Sequence, residues 1–398
     1  MKISCGIFAN IAPLYSRPLW YELSSSPDVD YYFYSSRSGY SSIRTININE
    51  SRNIDKSGKL NWFFLKNIYV RGILIYQLGI VYVCMKTMYD VYIFNGEMYC
   101  ISTWLASLVC KIRKKPVVFW GHGIYGNETF LKKKVRVLFY QMADYHLVYG
   151  NRSRNLMIGL GFQQDKVFTV YNSLDFRVHE KLYNEINRAD LTKIRQKLFP
   201  GRSEYPVLIF IGRLTKEKKI SYLLKAVEFS MRKGRTYNCL IVGNGIEMQN
   251  LEHLCESMNM MDSVCLYGAS YDEEVNAKLI MLADCCISPG NVGLTAIHSL
   301  SLGTPVVTHG NFNNQGPEAE AIIPGKTGMF FRENDVSDLS DVIDSFISNR
   351  IGEQMEAECI NIIREFWNPY RQRNIFDETV KLSHETLYQK NNVPDYRR

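Results

Sequence analysis

The sequence predicts an α/β protein of two Rossmann-like domains, and three observations carry that expectation. Short, continuously apolar runs closed by glycine, serine or proline recur along the chain, as expected of strands buried on both faces. Stretches of helical length separate these runs, and strand–helix alternation folds as a doubly wound parallel sheet. At 398 residues the chain is too long for one ordinary core and long enough for two.

The second half is the clearer one. Its expected strands are Val207–Ile211, Cys239–Val242, Val264–Tyr267, Cys285–Ile287 and Pro305–Thr308, with helices near Ser221–Lys233, Glu247–Met258, Asp272–Ala283 and Leu294–Leu302. The first half repeats the plan with strands Lys2–Phe8, Tyr31–Tyr34, Val91–Phe94, Val117–Trp120, His146–Tyr149 and Val167–Tyr171, and helices Met98–Ile112 and Phe130–Ala143. Residues 40–70 are largely polar and read as loops or short strands. The charged stretch 175–205 reads as a linker plus one helix. The expected division is residues 1–172, residues 173–366, and a terminal helix within 367–398 that crosses back to the first domain. Its last residues, 391–398, are polar and are expected to fray. Ligands of such sheets bind beyond the carboxyl ends of the strands, so two facing domains would hold theirs in a cleft.

Composition narrows the function. Apolar residues at 46% against 22% charged exclude a disordered chain. A net charge of +7 suits an anionic small molecule or an anionic membrane surface. No nucleic-acid motif accompanies it, so nucleic acid is not an expected partner. None of the ten cysteines is spaced CxxC, and most sit among apolar residues, which points to reduced thiols and the cytoplasm. The amino terminus has no sustained apolar core of a signal peptide. The most apolar stretch, 72–85, is too short to span a membrane, which takes ~20 apolar residues. Asp28-Val29-Asp30 has a metal-binding spacing but falls in a polar region and reads as a turn.

Three turns carry the chemistry. Ile211-Gly212-Arg213-Leu214-Thr215-Lys216-Glu217-Lys218 sends cations past the end of a buried strand, where Arg grips phosphate oxygens in pairs and Lys adds a point charge. Ser288-Pro289-Gly290-Asn291-Val292-Gly293-Leu294-Thr295 is a strand, a glycine-rich turn and a helix start, whose free N–H groups favour an anion. His298 lies farther along that helix. Gly243-Asn244-Gly245 is a tight turn without the third glycine of the dinucleotide fingerprint, which argues against a nicotinamide enzyme. In the first half, Trp120-Gly121-His122-Gly123 ends a strand with a histidine able to orient a ligand or take a proton.

Together, GRLTKEKK, IVGNG, VCLYG, ADCCISP and GLTAIHSLSLGTPVV resemble the donor domain of family 4 (group 1) glycosyltransferases, retaining enzymes of the GT-B fold. The likeness extends through Tyr171-Asn172-Ser173-Leu174-Asp175 and through Pro317-Glu318 and Pro324-Gly325-Lys326-Thr327-Gly328. It implies two Rossmann-like domains facing across a cleft, transfer of a hexosyl-type sugar from a nucleotide-diphosphate sugar, and no essential metal or cofactor. It places Arg213, Lys218, Gly243 and the 291–295 helix start (Asn291, Val292, Gly293, Leu294, Thr295) on the donor. By the same likeness His122 faces the donor sugar. Acceptors would be glycans or lipid-linked glycans of surface polysaccharide assembly.

The chain departs from that pattern where the family carries two glutamates, for Gly290 and His298 occupy those positions. His298 can still hold a ribose hydroxyl, and Glu318 or Glu320 is the expected source of the missing carboxylate. Pro13-Leu14-Tyr15-Ser16-Arg17 resembles acceptor-side entries, with Arg17 toward an acceptor phosphate. Basic clusters at Lys111–Lys115 and Lys132–Arg136 suggest peripheral contact with an anionic membrane. A nucleotide-sugar epimerase of the same fold and a catalytically degenerate binding subunit are the competing readings.

Overall fold

The computed structural model describes residues 2–37, 45–46, 60–349 and 352–392, with side chains to residue 386. The chain forms two compact units, Met1–Ser173 with Pro369–Arg398, and Leu174–Asn368.

The first unit is an eight-stranded sheet. Its strands are β1 (Ile3–Ile11), β2 (Val29–Ser36), β3 (Asn61–Val70), β4 (Leu74–Leu78), β5 (Val91–Asn95), β6 (Val117–Gly121), β7 (Tyr145–Val148) and β8 (Val167–Thr169). They lie in the order β4-β3-β2-β1-β5-β6-β7-β8, parallel throughout except for the β3–β4 hairpin. Alternate residues feed opposite faces, as a two-residue strand period requires. Cys5, Ile7, Ile93, Val118 and Trp120 enter one core, whereas Phe8, Tyr92, Phe94, Val117 and Phe119 enter the other. The terminal helix Pro369–Asn392 belongs to the first of these cores, with Phe376 edge-on to Trp120 at 5.1 Å. Tyr31 and Ser26 donate to the Asp377 carboxylate at 2.8 and 2.9 Å.

The second unit is a six-stranded, wholly parallel sheet. Its strands are β9 (Val207–Ile211), β10 (Asn238–Val242), β11 (Val264–Gly268), β12 (Cys285–Ser288), β13 (Val306–His309) and β14 (Gly328–Phe331), in the order β11-β10-β9-β12-β13-β14. The strand order reverses between β9 and β12. A crevice opens there because the following helices leave toward opposite faces.

Several expectations are corrected. Part of the 40–70 stretch is β3, a ten-residue strand whose exposed and half-buried positions alternate along an edge hairpin. A three-residue connection, Arg71-Gly72-Ile73, closes it, with Ile73 N–H donating to the Val70 carbonyl at 3.2 Å, so this part of the stretch is a long strand and not the loop or short strand expected. Residues 40–44 and 47–59 of that stretch, and 393–398 of the tail, lie outside the described residues. The 175–205 segment carries two helices, Phe176–Glu185 and Arg188–Leu198. Asp175 accepts from Val178 N and Asn187 from Ala189 N, so both helices start on side-chain caps that a reading for apolar periodicity passes over. Asp28-Val29-Asp30 opens β2 and is no isolated turn. Lys381 pairs with Asp28 at 2.7 Å and Lys2 with Asp30 at 3.6 Å, so each carboxylate has a cation. Among the described residues no helix is long and apolar enough to cross a membrane.

Candidate functional site

The crevice of the second unit is a pocket of about 390 Å³ beyond the ends of β9, β10 and β12. Arg213, Gly243, Leu294, Thr295 and His298 line it, together with Glu273. Arg213 follows directly on β9, exposed at the pocket wall. Thr295 Oγ1 donates to the Ile211 carbonyl at 3.0 Å, tying the helix Leu294–Ser301 to the end of β9.

Lys218, Asn291, Val292, Gly293, Glu318 and Glu320 are neighbours of this pocket outside its lining. The Lys218 ammonium donates to the Asn291 carbonyl. Burial and the neighbouring Arg213 charge lower its pKa, while the Glu318 carboxylate acts the other way. Arg213, Lys218 and Glu318 are thus electrostatic neighbours. Glu318 is 6% exposed, in the short turn Pro317–Ala321, and Glu320 is half-buried in the same turn.

Gly290 has a steric reason. A Cβ built there would come 2.0 Å from the Glu217 carbonyl oxygen and 2.8 Å from Lys218 Cα. Gly290 N also donates to the Lys218 carbonyl at 3.1 Å. The turn that carries Lys218 therefore lies directly on the glycine, and no side chain fits on this backbone. Gly293 serves a different purpose, opening the helix at φ 55°, a left-handed value that glycine adopts without strain.

The helix start offers fewer donors than expected. Val292 N–H is engaged by Gln315 Oε1 at 2.9 Å, and Val292 itself is buried, so it has no N–H to present. Gly293, Leu294 and Thr295 remain as the first-turn donors that a helix leaves without internal partners. Gln315 was missed in the sequence. Its Nε2 also donates to Thr308 Oγ1 at 2.8 Å and to the His309 carbonyl at 3.1 Å, which pins the loop against β13.

His298 makes a contact that the sequence did not suggest. Its Nε2 lies 2.6 Å from Glu273 Oε1, and His179 Nε2 lies 3.1 Å from the same oxygen. The imidazoles stack at 4.9 Å. His179 is buried, and Ser301 Oγ lies 2.8 Å from its Nδ1. Ser301 Oγ–H also donates to the His298 carbonyl at 2.8 Å, so one hydroxyl links the two histidines. Burial pushes the Glu273 carboxyl up, but the two imidazole hydrogen bonds outweigh it and hold the group well below the usual carboxylate range. Burial likewise lowers the His179 pKa, opposed by Glu273. Both imidazoles contact the same oxygen, Oε1, of Glu273, a residue of the pocket lining. The signal in the sequence was weak, since Asp272-Glu273-Glu274 reads simply as an acidic first turn capped by Asp272.

Among the described residues, His179, Glu273 and His298 are the group within reach of a shared metal ion. As built, the trio is closed by its own hydrogen bonds. A metal would need both Nε2 lone pairs turned toward it in place of N–H groups.

The first unit has its own pocket, of about 210 Å³, at the carboxyl ends of β1, β5 and β6. His122 lines it with Trp20, Trp120, Tyr125, Tyr149 and Glu97. The His122 ring is exposed on the open side, 5.5 Å from Tyr125 and 5.0 Å from Tyr149 between ring centres. Crowding by the surrounding protein and the Arg136 guanidinium lower its pKa, which makes it a neutral imidazole at pH 7. The buried indole N–H groups of Trp20 and Trp120 in this wall have no hydrogen-bond partner. Glu97 was not singled out in the sequence. Arg17 is exposed and lies over the Tyr21 ring at 5.8 Å, outside the lining that includes its neighbours Tyr15 and Ser16.

Comparison with known proteins agrees with this geometry. Residues 192–366 match the family described as glycosyl transferases group 1. The chain is 22% identical over 289 residues to a lipopolysaccharide 1,6-galactosyltransferase of Escherichia coli K12, covering 69% of this chain and 72% of that one. It is 24% identical over 231 residues to an uncharacterized protein of the Klebsiella pneumoniae cps region, covering 56% and 57%. The chain spans from about a third to just over half of the length of several other curated relatives it matches. Among solved structures, Anabaena HepE in complex with UDP superposes with a TM-score of 0.70 at 16% identity, covering 96% of this chain and 100% of that one. The chain therefore has the two-Rossmann-domain GT-B fold, and residues 192–366 of its second unit match the group 1 glycosyl transferases.

Proposed function

We propose that the protein is a retaining glycosyltransferase that moves a hexosyl-type sugar from a nucleotide-diphosphate sugar to a glycan or lipid-linked glycan. The observation that carries this reading is the pocket at the β9–β12 reversal, where a cation, a helix start and a fixed carboxylate converge. Arg213 and Lys218 meet the diphosphate, and the Gly293–Thr295 N–H groups add fixed dipoles. These stabilise the negative charge that grows as the glycosidic bond breaks. The positive charge comes from the chain itself, so the reading needs no resident metal. Glu273, oriented by His298 and His179, accepts hydroxyl hydrogen bonds from the nucleoside ribose in place of the carboxylate that position 298 lacks.

The pocket of the first unit suits the acceptor. Aromatic faces such as those of Tyr125 and Tyr149 pack against sugar rings. In this reading His122 orients the reacting hydroxyl, whose proton passes to the departing phosphate. The relatives, a lipopolysaccharide galactosyltransferase and a protein of a cps region, support surface polysaccharide assembly. The ten free cysteines, nine of them buried, fit a reducing compartment.

One observation favours a second reading, a degenerate transferase that only binds. Gly290 is sterically closed and His298 holds Glu273, so neither family carboxylate position is restored in place. A thermal-shift screen with UDP, GDP, ADP and CMP tests both readings. A ligand at a hundred times its Kd should stabilise the folded protein by ~2.7 kcal/mol. A selective shift lost in Arg213→Ala, with nucleotide released in the presence of acceptor extract, supports the transferase. A shift without release favours the binding subunit, and no shift discards the donor site.

A further inference from the structure

The geometry points to a bilayer-docking face on the first unit, built by three neighbouring helices that leave an apolar surface open to solvent. This inference rests on the lipid-linked acceptor reading above and names the surface through which the enzyme would meet its membrane.

The helix Ile101–Ile112 buries Thr103, Ala106, Ser107 and Cys110 against the sheet. Its opposite face carries Ile101, Leu105, Leu108 and Ile112, a stripe at helical spacing, with Ile112 73% exposed. A surface helix normally places polar residues there. The helix Phe130–Tyr140 repeats the pattern, burying Phe139 and Tyr140 and exposing Phe130, Leu131, Val135 and Leu138. Phe130 is 75% and Leu131 72% exposed. The short helix Ile80–Lys86 adds Tyr82 and Met85.

These helices share one side of the sheet. Ile80, Cys84, Ala106, Cys110, Phe139 and Tyr140 belong to one core, and the Trp104 and Phe139 rings meet at 5.0 Å. Lys111 Nζ reaches the Gln141 carbonyl at 3.3 Å across the seam. A run of exposed large apolar side chains over adjacent helices marks an interaction face.

Charge selects the occupant. None of the three helices contains Asp or Glu, whereas Lys86, Lys111, Lys132, Lys133 and Lys134 lie on them and Lys114 and Lys115 follow. Apolar side chains ringed by lysine match the acyl and headgroup layers of an anionic leaflet, the chemistry of an in-plane amphipathic helix. A second copy of this chain would bring the same positive charge to the contact and repel it.

The face is also joined to the acceptor-side pocket. Arg136, on the inner side of the Phe130–Tyr140 helix, pairs with Glu128 at 3.0 Å and lies 4.6 Å from the Tyr125 ring centre. Glu128 accepts from the Tyr125 and Gly126 N–H groups at 2.9 and 2.8 Å. Tyr125 and His122 line the pocket, so a helix seated in the leaflet would hold the pocket wall beside the lipid surface.

The test is co-sedimentation of the full chain with vesicles of phosphatidylcholine alone or with 30% phosphatidylglycerol (about that fraction gives a clearly anionic surface). Expected is at least tenfold stronger binding (~1.4 kcal/mol) to the anionic vesicles, falling with added salt. The double variant Leu105→Glu/Leu108→Glu should lose binding to both, and Lys132→Gln/Lys133→Gln should lose the anionic preference. Both must keep the wild-type melting temperature and UDP response, which separates failure here from failure of the donor site. Equal binding to both vesicle types, no binding to either, or a dimer of the wild type abolished by Leu105→Glu/Leu108→Glu would overturn the inference.

Discussion

His298 Nε2 stands 2.6 Å from Glu273 Oε1, joining a helix that follows β12 to the first turn of the helix that precedes it. The contact brings a carboxylate from another element into the pocket wall beside a histidine. A second imidazole, His179, steadies the same oxygen at 3.1 Å. The carboxylate is therefore held in its ionised form at the pocket wall.

Glu273→Gln keeps the shape of that group and removes its charge. UDP affinity should fall about tenfold, ~1.4 kcal/mol, as expected for a hydrogen bond from a hydroxyl to an ionised acceptor. Calorimetric titration of UDP, with uracil as the control lacking ribose, checks it. Unchanged UDP affinity would remove Glu273 from the ligand.

Gly290→Ala should destabilise the second unit by about 1–3 kcal/mol, because its Cβ must displace the backbone of Glu217 and Lys218. The same displacement moves the Lys218 ammonium off the Asn291 carbonyl, so UDP binding should weaken along with the melting temperature. Restoring a glutamate at 290 would then not restore a carboxylate to the pocket. A Gly290→Glu variant as stable as the wild type would contradict the packing described.

Glu318→Gln removes the negative charge that supports the Lys218 ammonium, and UDP affinity should drop several-fold. Glu320→Gln, in the same turn, serves as comparison. Full turnover in both variants would eliminate them as the source of the missing carboxylate. A turnover loss larger than the affinity loss would assign one of them to the chemistry.

His146, buried in β7, has its pKa pushed down to about 3 from the ordinary 6.5 by burial and by Lys166. The unfolded chain therefore takes up the proton first. The stability this neutral histidine confers is complete above about pH 6.5 and lost as pH falls toward 3. Between those limits it contributes a slope of about 1.4 kcal/mol per pH unit. Urea melts of wild type and His146→Gln from pH 7 to 4 should differ by about one proton in that slope, and parallel curves would refute it.

By itself the sequence determined the local grammar of the protein. Continuous apolar runs such as Val207–Ile211 and Cys285–Ile287, short and closed by turn residues, read as buried strands, and the glycine-rich turns after them mark where a ligand approaches backbone. These signals are local, so Arg213, Leu294 and Thr295 could be placed at strand ends and a helix start before any fold was seen. Tertiary structure decided what meets there. Glu273 and His298 are 25 residues apart, and His179 lies much farther off, so no periodicity links them. The occupation of Val292 N–H by Gln315 and the closure of Gly290 by the Lys218 turn are equally long-range. The helix that carries Ile101, Leu105, Leu108 and Ile112 was legible in the sequence, but its apolar stripe was not singled out there. Which face of that helix the sheet covers depends on packing, and the small residues Ala106, Ser107 and Cys110 took the inward side because they let the helix lie close to the strands.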